Sequence, residues 1–302
     1  MIVSDLAQVL FSVPTDVAEA VANLLTEHVG SGIEQRDAET LASTVDGVTE
    51  LLAWIPSSDI PVHVERIEQL LLSLAELGQR TKPWSWRSEE VDPARWQEVY
   101  KQFFKINRLT RRVVVRPSWE SYDPEPTDLV VEMDPGQAFG TGLHASTRLA
   151  VSALERISRL VPAPANILDV GCGTGILAIV AARLWARSEV LAIDSDEIAV
   201  EVARQNVQSN DLANRIDVEH RSAGEITGPY DVITANLTSE LLTQLRDPLT
   251  DSLEEAGRLV LSGILSEQAS PLCRHFTADL RLDSEYSEEL SGWRVLLLRR
   301  RL

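Results

Sequence analysis

Apolar residues recur along this chain first in a mixed pattern and then, from about Ala165 onward, as strands alternating regularly with helices. Near the start, Gln8-Val9-Leu10-Phe11-Ser12-Val13 is a β-prone run stopped by Pro14, after which Thr15 is placed to cap a helix carrying Val17, Ala18, Val21, Leu24 and Leu25. Gly30 and Gly32 close that helix, Ile33 to Arg36 reads as a strand, and Thr49 to Ile55 reads as another across a polar turn. After Pro61, Val64, Ile67, Leu70, Leu71, Leu74 and Leu77 fall at helical spacing, and Lys82 to Glu90 alternates as a last strand. The order βαββαβ predicts a small α+β domain of ferredoxin-like arrangement over residues 1–91.

Residues 92–125 read as a connection. Asp92-Pro93 begins a helix whose Trp96, Val99, Tyr100, Phe103 and Phe104 share one face, which predicts a buried seam in preference to an aromatic binding platform. Arg111 to Arg116 follows as a strand, and Ser121 to Pro126 is a turn. Over residues 126–302 the strands Asn166–Val170, Val190–Asp194, Tyr230–Ala235 and Arg258–Ser262 alternate with helices, so an α/β fold is expected, a Rossmann-like and mostly parallel sheet with helices on both faces. Leu280–Asp283 and Trp293–Leu298 read as a closing hairpin-like pair at the sheet edge.

Composition narrows the picture. A chain of 302 residues, 44% hydrophobic, suffices for two domains with separate cores. Its two cysteines, Cys172 and Cys273, give neither a disulfide framework nor a ligand spacing, so no metal site is expected. The first residues lack a secretory pattern and no stretch is apolar enough to span a bilayer, from which a cytoplasmic protein with no membrane association is expected; a monomer is expected as well. The net charge of −18, from 46 acidic against 28 basic residues, disfavours direct contact with a nucleic-acid backbone and suits a basic macromolecular partner.

The chemistry concentrates at Asp169-Val170-Gly171-Cys172-Gly173-Thr174-Gly175, set between an apolar strand and the helix from Ile176 to Leu184. Glycines there let the backbone take positive φ and approach a ligand closely. A nicotinamide loop would need its third glycine where Ile176 stands, and no Gly-Lys-Ser/Thr phosphate loop follows. Asp194 ends the next strand, where a carboxylate can accept hydrogen bonds from both ribose hydroxyls of an adenosine. The two features together predict a site for S-adenosylmethionine, with S-adenosylhomocysteine as product. Asp169 also reads as a brace for the turn, Asp196 as the cap of a helix from Glu197, and Ser222-Ala223-Gly224-Glu225 either as a flank for adenine or as a plain loop.

Further motifs carry a resemblance. Arg116-Pro117-Ser118-Trp119-Glu120, Met133 to Thr147 (Met-Asp-Pro-Gly-Gln-Ala-Phe-Gly-Thr-Gly-Leu-His-Ala-Ser-Thr), Asp169 to Gly175, Asp194, Ala235-Asn236-Leu237 and Leu261 to Leu265 together resemble the PrmA family, the bacterial class I methyltransferases of large-subunit ribosomal protein L-eleven. The likeness spans nearly all of Trp96 to Leu302, and the amino-terminal element order matches that family's substrate-recognition domain in pattern. It implies methyl transfer from S-adenosylmethionine to lysine ε-amines and an N-terminal amine of that basic ribosomal protein, with cofactor contacts at Thr147, Gly171, Asp194 and Asn236. Where the family commonly has Gly-Thr-Gly-Thr-His-Pro-Thr-Thr, this chain has Gly140-Thr141-Gly142-Leu143-His144-Ala145-Ser146-Thr147.

From the residues themselves, Gly173 belongs to the cofactor turn, and Phe139 and Thr141 sit in a glycine-bordered stretch that reads as a cover over cofactor and target. Asn236 ends a strand at the carboxyl edge of the sheet, where its side-chain carbonyl can hold an amine and aim its lone pair, so it is the catalytic candidate. Its competing reading is the cap of a helix from Ser239. His144 is either a base or a support for its loop. Two other functions stay open on these residues: the same chemistry on another protein, peptide or small amine, and a noncatalytic module that holds the cofactor.

Overall fold

The structure, a computed structural model, describes residues 6–29, 34–36, 47–76, 78–90, 105–134, 144–160, 163–278 and 280–301. The chain separates into two compact units, Met1–Phe103 and Phe104–Leu302. The expected connecting helix with Trp96, Val99, Tyr100, Phe103 and Phe104 lies outside the described residues, as do Gly30 and Gly32.

In the first unit β1 (Leu6–Pro14), α1 (Thr15–Val29), β2 (Glu34–Arg36), β3 (Val48–Pro56), α2 (Ile60–Glu76) and β4 (Ser85–Glu90) follow one another. The sheet order β2-β3-β1-β4, antiparallel throughout, is the ferredoxin-like topology. Val9, Phe11 and Val13, at period two, meet Val17, Val21 and Leu25 of α1 in one buried core. Helix α2 starts at Ile60, one residue before the proline, because the fixed φ of Pro61 suits a first helical turn.

The second unit opens with a small sheet of β5 (Asn107–Arg108), β6 (Val113–Arg116) and β7 (Leu129–Glu132). Then come α3 (Ala145–Leu160), β8 (Asn166–Val170), α4 (Ile176–Leu184), β9 (Glu189–Asp194), α5 (Glu197–Ser209), β10 (Ile216–His220), β11 (Tyr230–Asn236), α6 (Ser239–Gln244), α7 (Arg246–Asp251), β12 (Leu253–Leu265), α8 (Ser266–Thr277), β13 (Leu282–Leu290) and β14 (Trp293–Arg300). The seven-stranded sheet runs β10-β9-β8-β11-β12-β14-β13, parallel except for β14, which is antiparallel to both of its neighbours. The expected closing pair is a longer hairpin: β13 runs to Leu290, and Ser291 and Gly292, both at positive φ, make the two-residue turn. Its edge strand is polar, with Asp283, Glu285, Glu288 and Glu289, and polar edge strands lack the apolar run by which strands are found.

Period two along the central strands sorts their side chains to two faces. Ile167, Val232, Val260, Val295 and Leu297 face a cluster shared with α3, α4 and α5, whereas Leu168, Ile233, Leu259, Leu296 and Leu298 face one shared with α6, α7 and α8. By the same parity Asp169, Thr234, Asn236 and Ser262 lie on the α3 and α4 side. Register pairs Asp169 with Thr234 and Asn236 with Ser262, so four polar groups gather at the carboxyl ends of β8, β11 and β12.

Candidate active site

Strand order reverses between β8 and β11, and the glycine turn leaves β8 at that point, where open α/β sheets bind their ligands. The turn is tied to the neighbouring strand: the amides of Gly171 and Cys172 both donate to the Ile193 carbonyl, at 2.9 and 3.0 Å. Gly171 has φ +66°, and a Cβ there would stand 2.4 Å from Leu237 Cδ2. Glycine takes this left-handed conformation without strain, and any larger residue would also push the Leu237 side chain aside.

Asp169 is 1% exposed. Its Oδ1 accepts from the Thr234 hydroxyl at 2.7 Å and its Oδ2 from the Ala178 amide at 3.2 Å, so it bridges β8, β11 and the first turn of α4. Burial pushes its carboxyl up to about 7, against the opposing pull of those two hydrogen bonds. This is the bracing position read from the sequence. Thr234 was not singled out there, although a hydroxyl inside the apolar run Val232-Ile233-Thr234-Ala235 is the signal that would have found it. Burial also pushes the Cys172 thiol up, which keeps it protonated and inert.

Asp194 ends β9 half-buried, its Oδ2 accepting from the Gly173 amide at 2.9 Å and its Oδ1 from the Asp196 amide at 3.0 Å. Gly173 and Asp194 are thus brought together. Asp196 is the N-cap of α5, accepting from the Ile198 amide at 2.9 Å. Ser222 caps the short 3-10 turn Ala223–Glu225 and accepts from the Gly224 amide.

Asn236 donates through Nδ2 to the Thr147 hydroxyl at 3.4 Å, while its Oδ1 is buried with no hydrogen-bond partner among the described residues. Thr147, fully buried in the first turn of α3, is held there by Ser262, whose hydroxyl donates to the Ser146 carbonyl at 2.8 Å. Ser262 was not anticipated as part of this cluster, since its partner lies 116 residues away. The helix from Ser239 is capped by Thr238, which accepts from the Leu241 amide, so Asn236 is not its cap. His144 precedes α3 and takes the Ser146 amide on its Nδ1 at 3.3 Å, with Ser146 Oγ at 2.8 Å and the Trp293 ring edge-on at 4.5 Å. Burial lowers its pKa, and a ring nitrogen already accepting an N–H fits a support for the loop. Phe139 and Thr141 lie outside the described residues. Just before them, Asp134 accepts from the Ser118 amide and hydroxyl, both at 2.7 Å. Among the described residues no group of side chains could hold a metal ion, and no helix is long and apolar enough to cross a membrane.

A glycine turn at a switch point suits either a dinucleotide or an adenosyl sulfonium. Here Ile176 stands where a nicotinamide loop would want glycine, and the antiparallel β14 between β12 and β13 gives the sheet the order 3-2-1-4-5-7-6, counted from β8. That combination is the class I S-adenosylmethionine-dependent methyltransferase. More particularly, the chain belongs to the ribosomal protein L11 methyltransferase (PrmA) family, whose sequence profile matches residues 5–301. It is 35% identical to the ribosomal protein L11 methyltransferase of Pelobacter propionicus over 97% of each chain, and 36% identical to that of Geobacter sulfurreducens over 87% of each. Among solved structures it is similar to the ribosomal protein L11 methylase of Lactobacillus delbrueckii subsp. bulgaricus, with 30% identity and a TM-score of 0.60, over 66% of this chain and all of that one.

Proposed function

We propose that this enzyme methylates amino groups, lysine ε-amines and the N-terminal amine, of ribosomal protein L11, acting as a cytoplasmic monomer whose first domain holds the protein substrate. The observation that carries the amine assignment is the orientation of Asn236: its amide nitrogen is spent on Thr147, and its carbonyl oxygen is buried and unmatched. A buried acceptor without a partner is costly, which argues for a donor that arrives with the substrate. An amine N–H is such a donor.

The residues suit the cofactor as well. Each oxygen of Asp194 accepts one backbone amide, and a carboxylate has about four acceptor sites in all, so lone pairs remain for two ribose hydroxyls. Gly171 and Gly173 bring the backbone close, and Thr147 fixes the edge of the site; Phe139 and Thr141 are assigned to its cover. When bound, S-adenosylmethionine supplies a methyl group whose transfer releases a neutral thioether, S-adenosylhomocysteine, with no need for an acid, and the methylated ammonium gives its proton to solvent. The task of this chain is then to deliver a neutral amine in line and to exclude water. An ordinary lysine amine has a pKa of about 10.4, and burial lowers it by disfavouring the ammonium. Asn236 Oδ1, accepting one amine hydrogen, turns the lone pair toward the methyl.

The test is to incubate the purified enzyme with S-adenosylmethionine and unmodified L11, then map methyl groups by mass spectrometry, beside ribosomal proteins from cells with and without the gene. Methylated lysines and N-terminus on L11 are expected. Methyl groups on a different protein only, or on oxygen, would overturn the substrate or the amine assignment respectively.

A further inference from the structure

The second unit contains a cavity of about 460 Å³ between the β5–β6 turn, the outer flank of α3 and the edge strand β13. None of the glycine turn, Asp194 or Asn236 lines it. Its volume falls within the range of small-ligand sites, roughly 300–1,000 Å³.

Its charges do not balance. Arg111, Arg148 and Arg156 line it, and among the described residues none of the three is paired with a carboxylate. Arg148 Nε is buried with no hydrogen-bond partner among the described residues, and the Arg156 guanidinium lies 4.1 Å over the Tyr286 ring. In a chain with 46 acidic residues, three unmatched arginines around one cavity are an anomaly for a plain solvated surface. Arg148 is also a cation in the first turn of α3, where the helix dipole favours the opposite sign. Two acids line the cavity: Glu288 accepts on one oxygen from Ser152 at 2.9 Å and from the Tyr286 hydroxyl at 3.1 Å, and Glu155 holds Arg159 through one oxygen, which leaves three arginines against one carboxylate outside an ion pair. The other oxygen of Glu155, a residue only 3% exposed, has no hydrogen-bond partner among the described residues.

We propose that this cavity is a second ligand site, independent of the cofactor site, for a small oxyanion that also carries a hydroxyl group, such as a phosphate ester or a hydroxycarboxylate. Guanidinium forks match the geometry of phosphate and carboxylate oxygens, and the lining supplies one from the β5–β6 turn, Arg111, and two from α3, Arg148 and Arg156. The hydroxyl satisfies the unmatched oxygen of Glu155, as a purely anionic ligand would not.

Calorimetric titration of the full chain with ribose 5-phosphate and, in a separate arm, with citrate tests this and tells the two oxyanion sources apart. At least one is expected to bind, with affinity falling at least about tenfold in Arg148→Ala and in the surface variant Arg111→Ala. Binding should be unchanged by saturating S-adenosylhomocysteine and by Asp194→Ala. The proposal is overturned by no binding in either arm at millimolar ligand, by binding that survives both arginine substitutions, by competition with S-adenosylhomocysteine, or by binding only of an RNA oligonucleotide.

Discussion

The amide of Asn236 is oriented by the hydroxyl of Thr147, 3.4 Å from its Nδ2, and that bond leaves the carbonyl oxygen buried with no hydrogen-bond partner among the described residues. Removing the carbonyl should therefore harm turnover far more than cofactor binding. In Asn236→Ala, kcat is expected to fall roughly a hundredfold, the range seen for loss of one positioned polar group, while the Kd for S-adenosylhomocysteine changes only a few-fold. Steady-state kinetics beside calorimetry checks this, and equal losses in both would reduce Asn236 to a cofactor contact.

Thr147 is expected to act through Asn236. In Thr147→Val the amide loses its acceptor and is free to turn, so kcat should fall about tenfold, whereas Thr147→Ser keeps the hydroxyl and should restore most of the rate. A valine variant with full activity would show that the amide is oriented by something else.

Asp194 joins the glycine turn to the helix that follows it, through the amides of Gly173 and Asp196. Replacing it with alanine removes both anchors and the ribose acceptor, and cofactor affinity should drop by two orders of magnitude or more on a charged hydrogen-bond scale of about 1.5–3 kcal/mol each. Calorimetry with unchanged affinity would refute the ribose assignment.

Asp169 gives a pH signature. Its folded carboxyl is raised by burial to about 7 from an ordinary 3.8, so the folded state holds a proton that the unfolded state releases between those values. The sign follows from linkage: the group's penalty is absent below pH 4, grows as pH rises through that window, and is complete above about 7. Asp169→Asn, whose amide can replace the protonated acid beside Thr234, should gain stability relative to the parent as pH rises, by a few kcal/mol at about 1.4 kcal/mol per unit. Urea unfolding at pH 5 and pH 8 reads the difference; a constant offset at both would contradict the raised carboxyl.

Leu237 is pinched between two glycines of unequal tolerance. At Gly171 an added Cβ meets the tip of the Leu237 side chain, which can swing away, but at Gly263, with φ +79°, it meets the Leu237 carbonyl oxygen at 2.4 Å. Gly263→Ala is expected to be the more destabilising, by about 3 kcal/mol, from backbone strain and clash together. Thermal unfolding of the two variants tests the order.

Periodicity alone carried the αβ alternation of the second domain and the βαββαβ order of the first, because core-facing positions in strands and helices repeat locally and leave their mark over a few residues. The glycine turn and Asp194 were legible for a related reason: a tight turn and a strand end are local events, and each shows in a handful of neighbours. The polar edge strand β13 was legible only in part, since exposure on an edge erases the apolar pattern. What tertiary structure decided was which polar residues meet. Thr234 reaches Asp169 across 65 residues and Ser262 reaches Ser146 across 116, pairings set by sheet register and by which face a helix covers, neither of which is a local property of the chain. Thr238 caps the helix from Ser239 locally, because it directly precedes it, whereas the pairing of Asn236 with Thr147, 89 residues away, was settled by where α3 lies against the end of β11.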